Sequence, residues 1–258
     1  MTDGASNTIY HYDAQGHGLS GRFGRPVEHL IEVQAAASLP IIGGFGNSRV
    51  DDFRFRDFVS FGSAYSHVSG SRNQKDGSFT SLVTATVERL NILDMVTADR
   101  VVARLSSQHP PDHREPHIVF LGSEFENLRI SGCLVQVDLD QGFFVRSDTY
   151  EAIRKELETN REFRKMAEDP YQTGQAQKLS DPNGVLLCSL VKDVRMNCPE
   201  ITRRGHALIV PQFGKVFLAE VLAQPGRRTL TMLRLELGSP ITGDLTVSGG
   251  LINGDTWP

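Results

Sequence analysis

Apolar and polar side chains alternate with a period of two along many short segments of this 258-residue chain. Successive side chains of an extended strand point to opposite faces of a sheet, so the alternation predicts strands with one buried and one solvated face. The clearest segment is 78–89, which is rich in β-branched residues and follows the turn pair Asp76-Gly77. The pattern predicts a mainly β protein.

Further strands are predicted wherever the same alternation, or a short apolar run, lies between turn residues. They are 52–61 with a β-bulge at Asp57, 99–105, 133–140, 185–191, 206–210, 216–222, 229–237 and 245–252. In the C-terminal third, one strand and its turn occupy about ten residues, a spacing typical of an antiparallel sandwich or barrel. We therefore expect one of these two architectures.

One helical insertion interrupts the strands at about residues 148–168. Asp148 and Glu151 have the spacing of a capping box, and Asp169-Pro170 ends the segment. The apolar stripe changes face halfway along, and a second possible box begins at Thr159. These features predict two short helices that meet near Thr159.

The chain is predicted to be a single β domain over residues 1–258. The helical insertion, taken with the polar loop after it as residues 147–182, separates N-terminal strands at about 19–146 from C-terminal strands at about 183–252. A chain of this length can bury a sizeable core without covalent cross-links.

Composition excludes several classes of protein. Hydrophobic residues make up 39% and charged residues 22%, with a net charge of -4, which is typical of a folded globular protein. No apolar run approaches the roughly 18 residues of a membrane helix, so we expect no membrane insertion. Lys and Arg form no cluster, so we expect no nucleic-acid partner.

The N-terminus and the cysteines bear on the cellular compartment. Residues 1–12 have no basic start followed by an apolar core, so the protein is expected to be cytoplasmic, or secreted with its leader already removed. Cys133, Cys188 and Cys198 are too few for a disulfide scaffold and are predicted to be free thiols. The alternative is a disulfide between Cys188 and Cys198 on neighbouring strands.

The best candidate metal site is a histidine-rich segment. His109, His113 and His117 recur every four residues, beside Asp112 and Glu115. Imidazoles and carboxylates are ligands that divalent transition metals prefer. Three prolines in the segment prevent a helix, so the spacing does not align the rings. The simpler interpretation is a polar loop between two strands with no cofactor, and a divalent transition metal is the alternative.

Other candidate sites have simpler structural explanations. The glycine-rich segment 43–48 lacks the spacing of a nucleotide-binding loop and is interpreted as a tight turn before a strand. Paired carboxylates for acid–base chemistry could come from Asp138 and Asp140, but these lie on a polar strand face where solvated carboxylates are ordinary. No signature of a nucleophile is present, so we assign no catalytic residue.

A short run in the middle of the N-terminal strands resembles known sequences. Residues 84–87, 91–93 and 97–99 are Thr-Ala-Thr-Val, Asn-Ile-Leu and Thr-Ala-Asp. This run resembles segments of β-rich bacterial proteins of uncharacterised role, some of them surface-associated. The resemblance implies a β-rich fold and a surface location, and it transfers no functional residue.

These observations favour a non-enzymatic β protein that binds or assembles through its sheet faces or strand edges. Its partner would be another protein or a second copy of itself. The alternative is a metal-dependent hydrolase or a small-ligand binder, with the three histidines at the rim of a β-barrel. A further alternative is a small-ligand carrier whose cavity is lined by Phe53, Phe55, Phe61 and Phe79.

Overall fold

Two antiparallel sheets pack face to face in the computed structural model, which describes residues 9–112, 114–171 and 184–257. A few short helices lie in one connection between strands. The prediction of a mainly β fold is confirmed, and of the two expected architectures the protein adopts the sandwich. Within the described residues, no helix is long and apolar enough to span a membrane.

The strands and helices follow one another along the chain. They are β1 (Ile9–Arg25), β2 (His29–Gln34), β3 (Ala37–Ser38), β4 (Gly44–Phe55), β5 (Val59–Arg72), β6 (Phe79–Ile92), β7 (Val96–His109), β8 (His117–Val119), β9 (Glu124–Glu126), β10 (Arg129–Ile130), β11 (Cys133–Leu139), α1 (Gln141–Arg146), α2 (Tyr150–Thr159), α3 (Arg161–Glu168), a 3-10 turn (Asp169–Tyr171), β12 (Leu186–Ser189), β13 (Val191–Met196), β14 (Thr202–Arg204), β15 (Ala207–Val210), β16 (Gly214–Gln224), β17 (Arg227–Leu237) and β18 (Thr242–Trp257).

Each sheet combines strands from distant parts of the chain. The first sheet has the order β14-β15-β16-β17-β18-β1-β2, with β12 beside β16 and β3 beside β1. The second has the order β13-β11-β10-β7-β6-β5-β4, with β8 and β9 beside β7. Strand β1 therefore lies among the C-terminal strands, and β13 lies among the N-terminal ones.

The structure corrects the prediction of a single strand over residues 52–61. This segment is not one bulged strand, because β4 ends at Phe55 and β5 begins at Val59. The backbone nitrogen of Phe58 donates to the carbonyl of Phe55, and Arg56 closes the turn with a φ of 51°. Asp57 and Phe58, whose side chains are out of phase with the alternation of 52–61, are thus part of a hairpin turn.

The helical insertion contains the two predicted helices and a third one before them. Helices α2 and α3 meet at Asn160, whose side chain accepts from the backbone nitrogen of Phe163 and so caps α3. The N-cap of α2 is Thr149 and not Asp148, because the Thr149 hydroxyl accepts from the backbone nitrogen of Ala152. Helix α1, capped by Asp140, was not predicted.

The structure also corrects the prediction that all three cysteines are free thiols. Cys133 and Cys198 form a disulfide with a Cα–Cα distance of 6.2 Å, and Cys188 is a buried free thiol. On the paired strands β11 and β13, Val135 lies opposite Met196. Because the strands are antiparallel, two residues before Val135 and two residues after Met196 bring Cys133 opposite Cys198. Cys188 lies on β12 in the other sheet.

The two sheets approach closely because small residues face each other in the core. Gly18 on β1 is an example, since a Cβ atom there would lie only 2.7 Å from the Cβ of Ala64 on β5. Ala64 itself is fully buried. At this point the space between the sheets has no room for a side chain on Gly18.

Candidate functional site

A row of five side chains crosses the outer face of the second sheet at right angles to its strands. The strand register places Phe45 opposite Ser69, Ser69 opposite Leu82, Leu82 opposite Ser106, and Ser106 opposite Val119. Directly opposite residues in antiparallel strands share one face of the sheet. We call this set the first row. Four strand-to-strand steps of about 4.8 Å make it about 19 Å long.

A second row runs beside the first. Ser71 lies opposite Thr80, Thr80 opposite Gln108, and Gln108 opposite His117. Residues of both rows line a cavity of about 540 Å³, with Phe45 extending the first row beyond it. We call the cavity and its two rows the trough. It lies outside the core, because Val83 and Leu105, which alternate with its residues along β6 and β7, are fully buried.

A histidine and a carboxylate are paired at one end of the trough. His117 Nδ1 lies 2.8 Å from Asp148 Oδ2, and half of the His117 side chain is exposed. The carboxylate accepts, so Nδ1 carries the hydrogen. The carbonyl of Asp148 also accepts from the backbone nitrogen of Ile118, at 3.0 Å. These two bonds tie β8 to the start of α2 and hold this end of the trough in place.

The described part of the trough is polar and has one pair of ionisable side chains. Among the described residues that line it, His117 and Asp148 are the ionisable ones, and they are paired with each other. The other polar side chains on the outer face are neutral hydroxyls and one amide: Ser69, Ser71, Thr80, Ser106 and Gln108. Hydroxyls and amides donate and accept, so the trough can form hydrogen bonds in both directions without favouring either sign of charge.

The predicted metal ligands are not brought together where the structure describes them. His109 is buried at the end of β7, and its Nδ1 lies 2.8 Å from the Tyr10 hydroxyl. His117 lies on the outer face, opposite Gln108. Consecutive strand residues point to opposite faces, so the two rings lie on opposite sides of the second sheet. His113 lies outside the described residues, and a metal site that uses it stays a prediction.

The other residues singled out from the sequence have local structural roles. Asp140 caps α1. The prediction of a tight turn at 43–48 is wrong, because β4 already begins at Gly44 and the turn lies just before it, where the backbone nitrogen of Gly43 donates to the carbonyl of Pro40. The phenylalanines proposed for a carrier cavity pack on other rings. Phe53 stacks on Phe61, and Phe79 stacks on Tyr10 at a centroid distance of 4.3 Å.

Sequence reasoning missed a buried ion network on the outer face of the first sheet. Glu220 accepts from Arg234 at 2.5 and 3.0 Å, from His206 Nε2 at 3.1 Å and from the Tyr171 hydroxyl. The Arg234 guanidinium lies 3.6 Å from the centroid of the Phe217 ring. The sequence signal that could have revealed the network is Glu220, which lies inside the apolar run 216–222. A carboxylate buried in such a strand requires a hydrogen-bonding or charged partner.

The charges in this network are set by its hydrogen bonds. Burial raises the pKa of Glu220, but hydrogen bonds and charges from His206 and Arg234 outweigh it and lower the pKa to about 2. His206 is fully buried, with one ring nitrogen 2.9 Å from the carbonyl of Met166 and the other 3.1 Å from the carboxylate of Glu220.

This network borders a cavity of about 480 Å³, but its polar groups are engaged with one another. Tyr171 belongs to the 3-10 turn and Met166 to α3, whereas Glu220 and Arg234 lie on β16 and β17. The network therefore fastens the helical insertion to the first sheet. We interpret it as structural, and the trough as the candidate binding site.

A family model described as a domain of unknown function (DUF8256) matches residues 10–224. The chain belongs to this family. The match runs from β1 to the end of β16, so it includes every residue of the trough. No curated protein and no solved structure shows a significant match.

Proposed function

We propose that this protein is a non-enzymatic binding module that holds a neutral, hydroxyl-rich ligand in the trough. The observation that carries the proposal is the register of β4 to β8, which aligns one row of alternating apolar and hydroxyl side chains beside a second row that is polar throughout. Rows on rigid paired strands present their polar groups in a fixed pattern, which reduces the entropy lost on binding.

The chemistry of the trough supports this ligand class. Its volume of about 540 Å³ falls within the usual range for a ligand site. No Lys or Arg lines it among the described residues, and the nearby Arg104, on the same face of β7 as Ser106, lies outside the lining. The lining itself therefore holds no cation to neutralise a phosphate or carboxylate. A ligand with many hydroxyls can satisfy the serine, threonine and glutamine groups that it desolvates.

The bonding of His117 supports binding rather than hydrolysis. A nucleophilic serine needs a base within hydrogen-bond reach. Asp148 occupies Nδ1 of His117, so Nε2 is the nitrogen that could act as a base, and in the described part of the trough no serine hydroxyl is bonded to it. Asp148 in turn has a structural role in holding β8 against α2.

The test is binding to a glycan array and to neutral soluble polysaccharides. We expect the double variant Thr80→Val, Gln108→Leu to weaken binding about tenfold or more, because each lost hydrogen bond contributes about 0.5–1.5 kcal/mol. Thr84→Val is the matched control, since Thr84 lies on the same strand and face as Thr80 but outside the lining. If no neutral ligand binds, or if both variants bind like the wild type, the proposal is wrong.

A second candidate function, self-association, is favoured by exposed apolar residues along one side of the sandwich. Leu30 and Val33 on the edge strand β2 are 67% and 55% exposed, and Ile41 and Ile42 are 57% and 84% exposed. These residues are spread along the edge of the first sheet, with Leu30 opposite Arg22 and Ile41 beside Tyr12 on β1, and exposed apolar side chains at a sheet edge often mark an interface. The other edge strand on this side, β4, is less suited, because charged side chains and an irregularity at Asp52 interrupt its edge.

Sedimentation velocity over a range of concentrations tests this candidate. We expect a dimer that dissociates more readily in the variant Leu30→Ser, Ile42→Ser, because both side chains are exposed in one copy and would be covered in two. The trough variant Thr80→Val, Gln108→Leu should dimerise like the wild type. A monomeric wild type at high concentration would exclude self-association.

The disulfide supports an oxidising compartment, and we therefore favour secretion over the cytoplasm. Cys133 and Cys198 are bonded, and disulfides persist mainly outside the reducing cytosol. Mass spectrometry of the protein isolated from its own cells under alkylating conditions is the test. A peptide pair linked through Cys133 and Cys198 is expected, and alkylated Cys133 would contradict it.

A further inference from the structure

We propose that the ligand of the trough is a linear, neutral, β-linked oligosaccharide chain that lies across strands β4 to β8. This inference rests on the proposed binding function and specifies its ligand. It follows from the direction of the trough, the composition of its two rows, and the ring of Phe45 at one end.

The trough has the shape of an extended chain. Its first row is about 19 Å long, because it crosses five strands spaced about 4.8 Å apart. A single small molecule would contact only part of this length. A chain of several sugar units would contact all of it, from Phe45 to Val119.

The two rows differ in polarity in the way that the two sides of a sugar chain differ. The first row alternates apolar and hydroxyl side chains: Phe45, Ser69, Leu82, Ser106 and Val119. The second row is polar throughout: Ser71, Thr80, Gln108 and His117. A pyranose ring has an apolar C–H face and a rim of hydroxyls, so the ring faces pack on the first row and the hydroxyls bond to the second.

The apolar residues of the first row recur at every second strand, about 9.6 Å apart. In an extended β-1,4-linked chain, successive rings are turned over, so every second ring presents the same face. The repeat of Phe45, Leu82 and Val119 therefore suits a chain of this linkage. A coiled α-linked chain does not keep its rings in such a line.

Phe45 is the strongest single contact in this arrangement. Its side chain is 70% exposed, although it lies beside the polar residue Ser69 on a flat strand face. An exposed ring at the end of a polar groove costs solvation energy unless a ligand covers it. A sugar ring stacked on Phe45 would cover it.

Two other classes of chain fit less well. A peptide that binds as an added strand pairs along a sheet edge, whereas the trough runs across the strands on the outer face, from β4 to β8. An anionic polymer needs Lys or Arg, and none lines the described part of the trough. Binding of a peptide or an anionic polymer in place of a neutral saccharide would overturn the proposal.

Isothermal titration of the full chain with cello- and chito-oligosaccharides of increasing length is the test, with malto-oligosaccharides as the α-linked comparison. We expect affinity for at least one β-linked series to rise with each added unit and then reach a plateau when the trough is filled. Phe45→Ala should weaken the longest chain about three- to tenfold. Leu222→Ala is the control, because Leu222 is an exposed apolar residue on the other sheet and should change nothing.

The outcomes separate this inference from the proposed function. If short saccharides bind as tightly as long ones, and Phe45→Ala has no effect while the double variant Thr80→Val, Gln108→Leu weakens binding, the extended-chain inference is wrong and the binding function stands. Tighter binding of the α-linked series also overturns the inference. If no neutral saccharide or polysaccharide binds at all, both are wrong. Thermal unfolding of Phe45→Ala should match the wild type, which shows that a loss of binding is not a loss of fold.

Discussion

The hydroxyl oxygen of Ser248, in the first sheet, lies 2.8 Å from the backbone nitrogen of Ala103, in the second. The same hydroxyl donates to the carbonyl of Ala85, also at 2.8 Å. Ala85 and Ala103 are directly opposite each other on β6 and β7. The fully buried Ser248 side chain therefore stands between a backbone donor and acceptor and links the two sheets through the core.

We expect Ser248→Ala to lower the free energy of unfolding by about 1–3 kcal/mol, because it leaves a buried backbone N–H and carbonyl without their partner. Urea denaturation at neutral pH measures the change. Ser38→Ala, at an exposed position on β3, is the control and should leave the stability within about 0.5 kcal/mol of the wild type. Equal stability of the two variants would show that Ala85 and Ala103 can pair directly.

A methyl group at position 18 should force the sheets apart. In Gly18→Ala the new Cβ would lie 2.7 Å from the Cβ of Ala64, and neither atom can rotate away. We expect a loss of about 1–3 kcal/mol in unfolding free energy, as for other overpacked cores. Gly142→Ala is the contrast, because Gly142 lies in α1 with no neighbouring atom closer than 3.6 Å. That variant should gain stability, and a loss there would count against the explanation.

The fold was largely predictable because a sandwich strand exposes one face and buries the other. The alternation from Phe79 to Val87 marks β6, and its turn residues mark the hairpin before it. The turn between β4 and β5 was missed because Arg56 adopts a positive φ without being glycine, so no Gly or Pro marked the turn.

The trough was not predictable from the sequence, although the sequence contains every residue that lines it. Alternation alone predicts that Thr80 and Leu82 lie on the same, polar face of their strand. Their alignment with Phe45, Ser69 and Val119 depends on the register between strands, which turn geometry sets and composition does not reveal. The same limit applied to the cysteines, since the register of β11 and β13 brings Cys133 opposite Cys198.

Acid should weaken the ion network that holds the helical insertion. The pKa of Glu220 is lowered from 4.5 to about 2, so its contribution to stability is complete above pH 4.5 and is lost as the pH falls towards 2. This depression corresponds to about 3 kcal/mol. We expect Glu220→Gln to be less stable than the wild type by an amount of this order at neutral pH.

Urea denaturation across this pH range checks the expectation. The difference in unfolding free energy between wild type and Glu220→Gln should shrink as the pH falls from 4.5 to 2. Glu158→Gln, at an exposed position on α2, should show no such trend. A constant difference for Glu220→Gln would mean that Glu220 titrates alike in the folded and unfolded chains.

The disulfide should stabilise the fold by linking two positions 65 residues apart, on either side of the helical insertion. Closing a loop of this length in the unfolded chain corresponds to about 4 kcal/mol. We expect the double variant Cys133→Ser, Cys198→Ser to lose up to that amount in urea denaturation. Dithiothreitol should destabilise the wild type similarly and leave the double variant unchanged. An effect of the reductant on the double variant would point to a different disulfide.

Cys188 should be unreactive until the protein unfolds. Burial raises the pKa of its thiol to about 12, although the charge of Arg228 opposes this, so almost no thiolate is present at neutral pH. We expect no fast reaction with a thiol reagent in the folded protein, one reactive thiol per chain after unfolding without reductant, and three after reduction. One fast thiol in the folded state would mean that the β12 region opens readily, because the side chain is fully buried there. Three thiols after unfolding without reductant would contradict the pairing of Cys133 with Cys198.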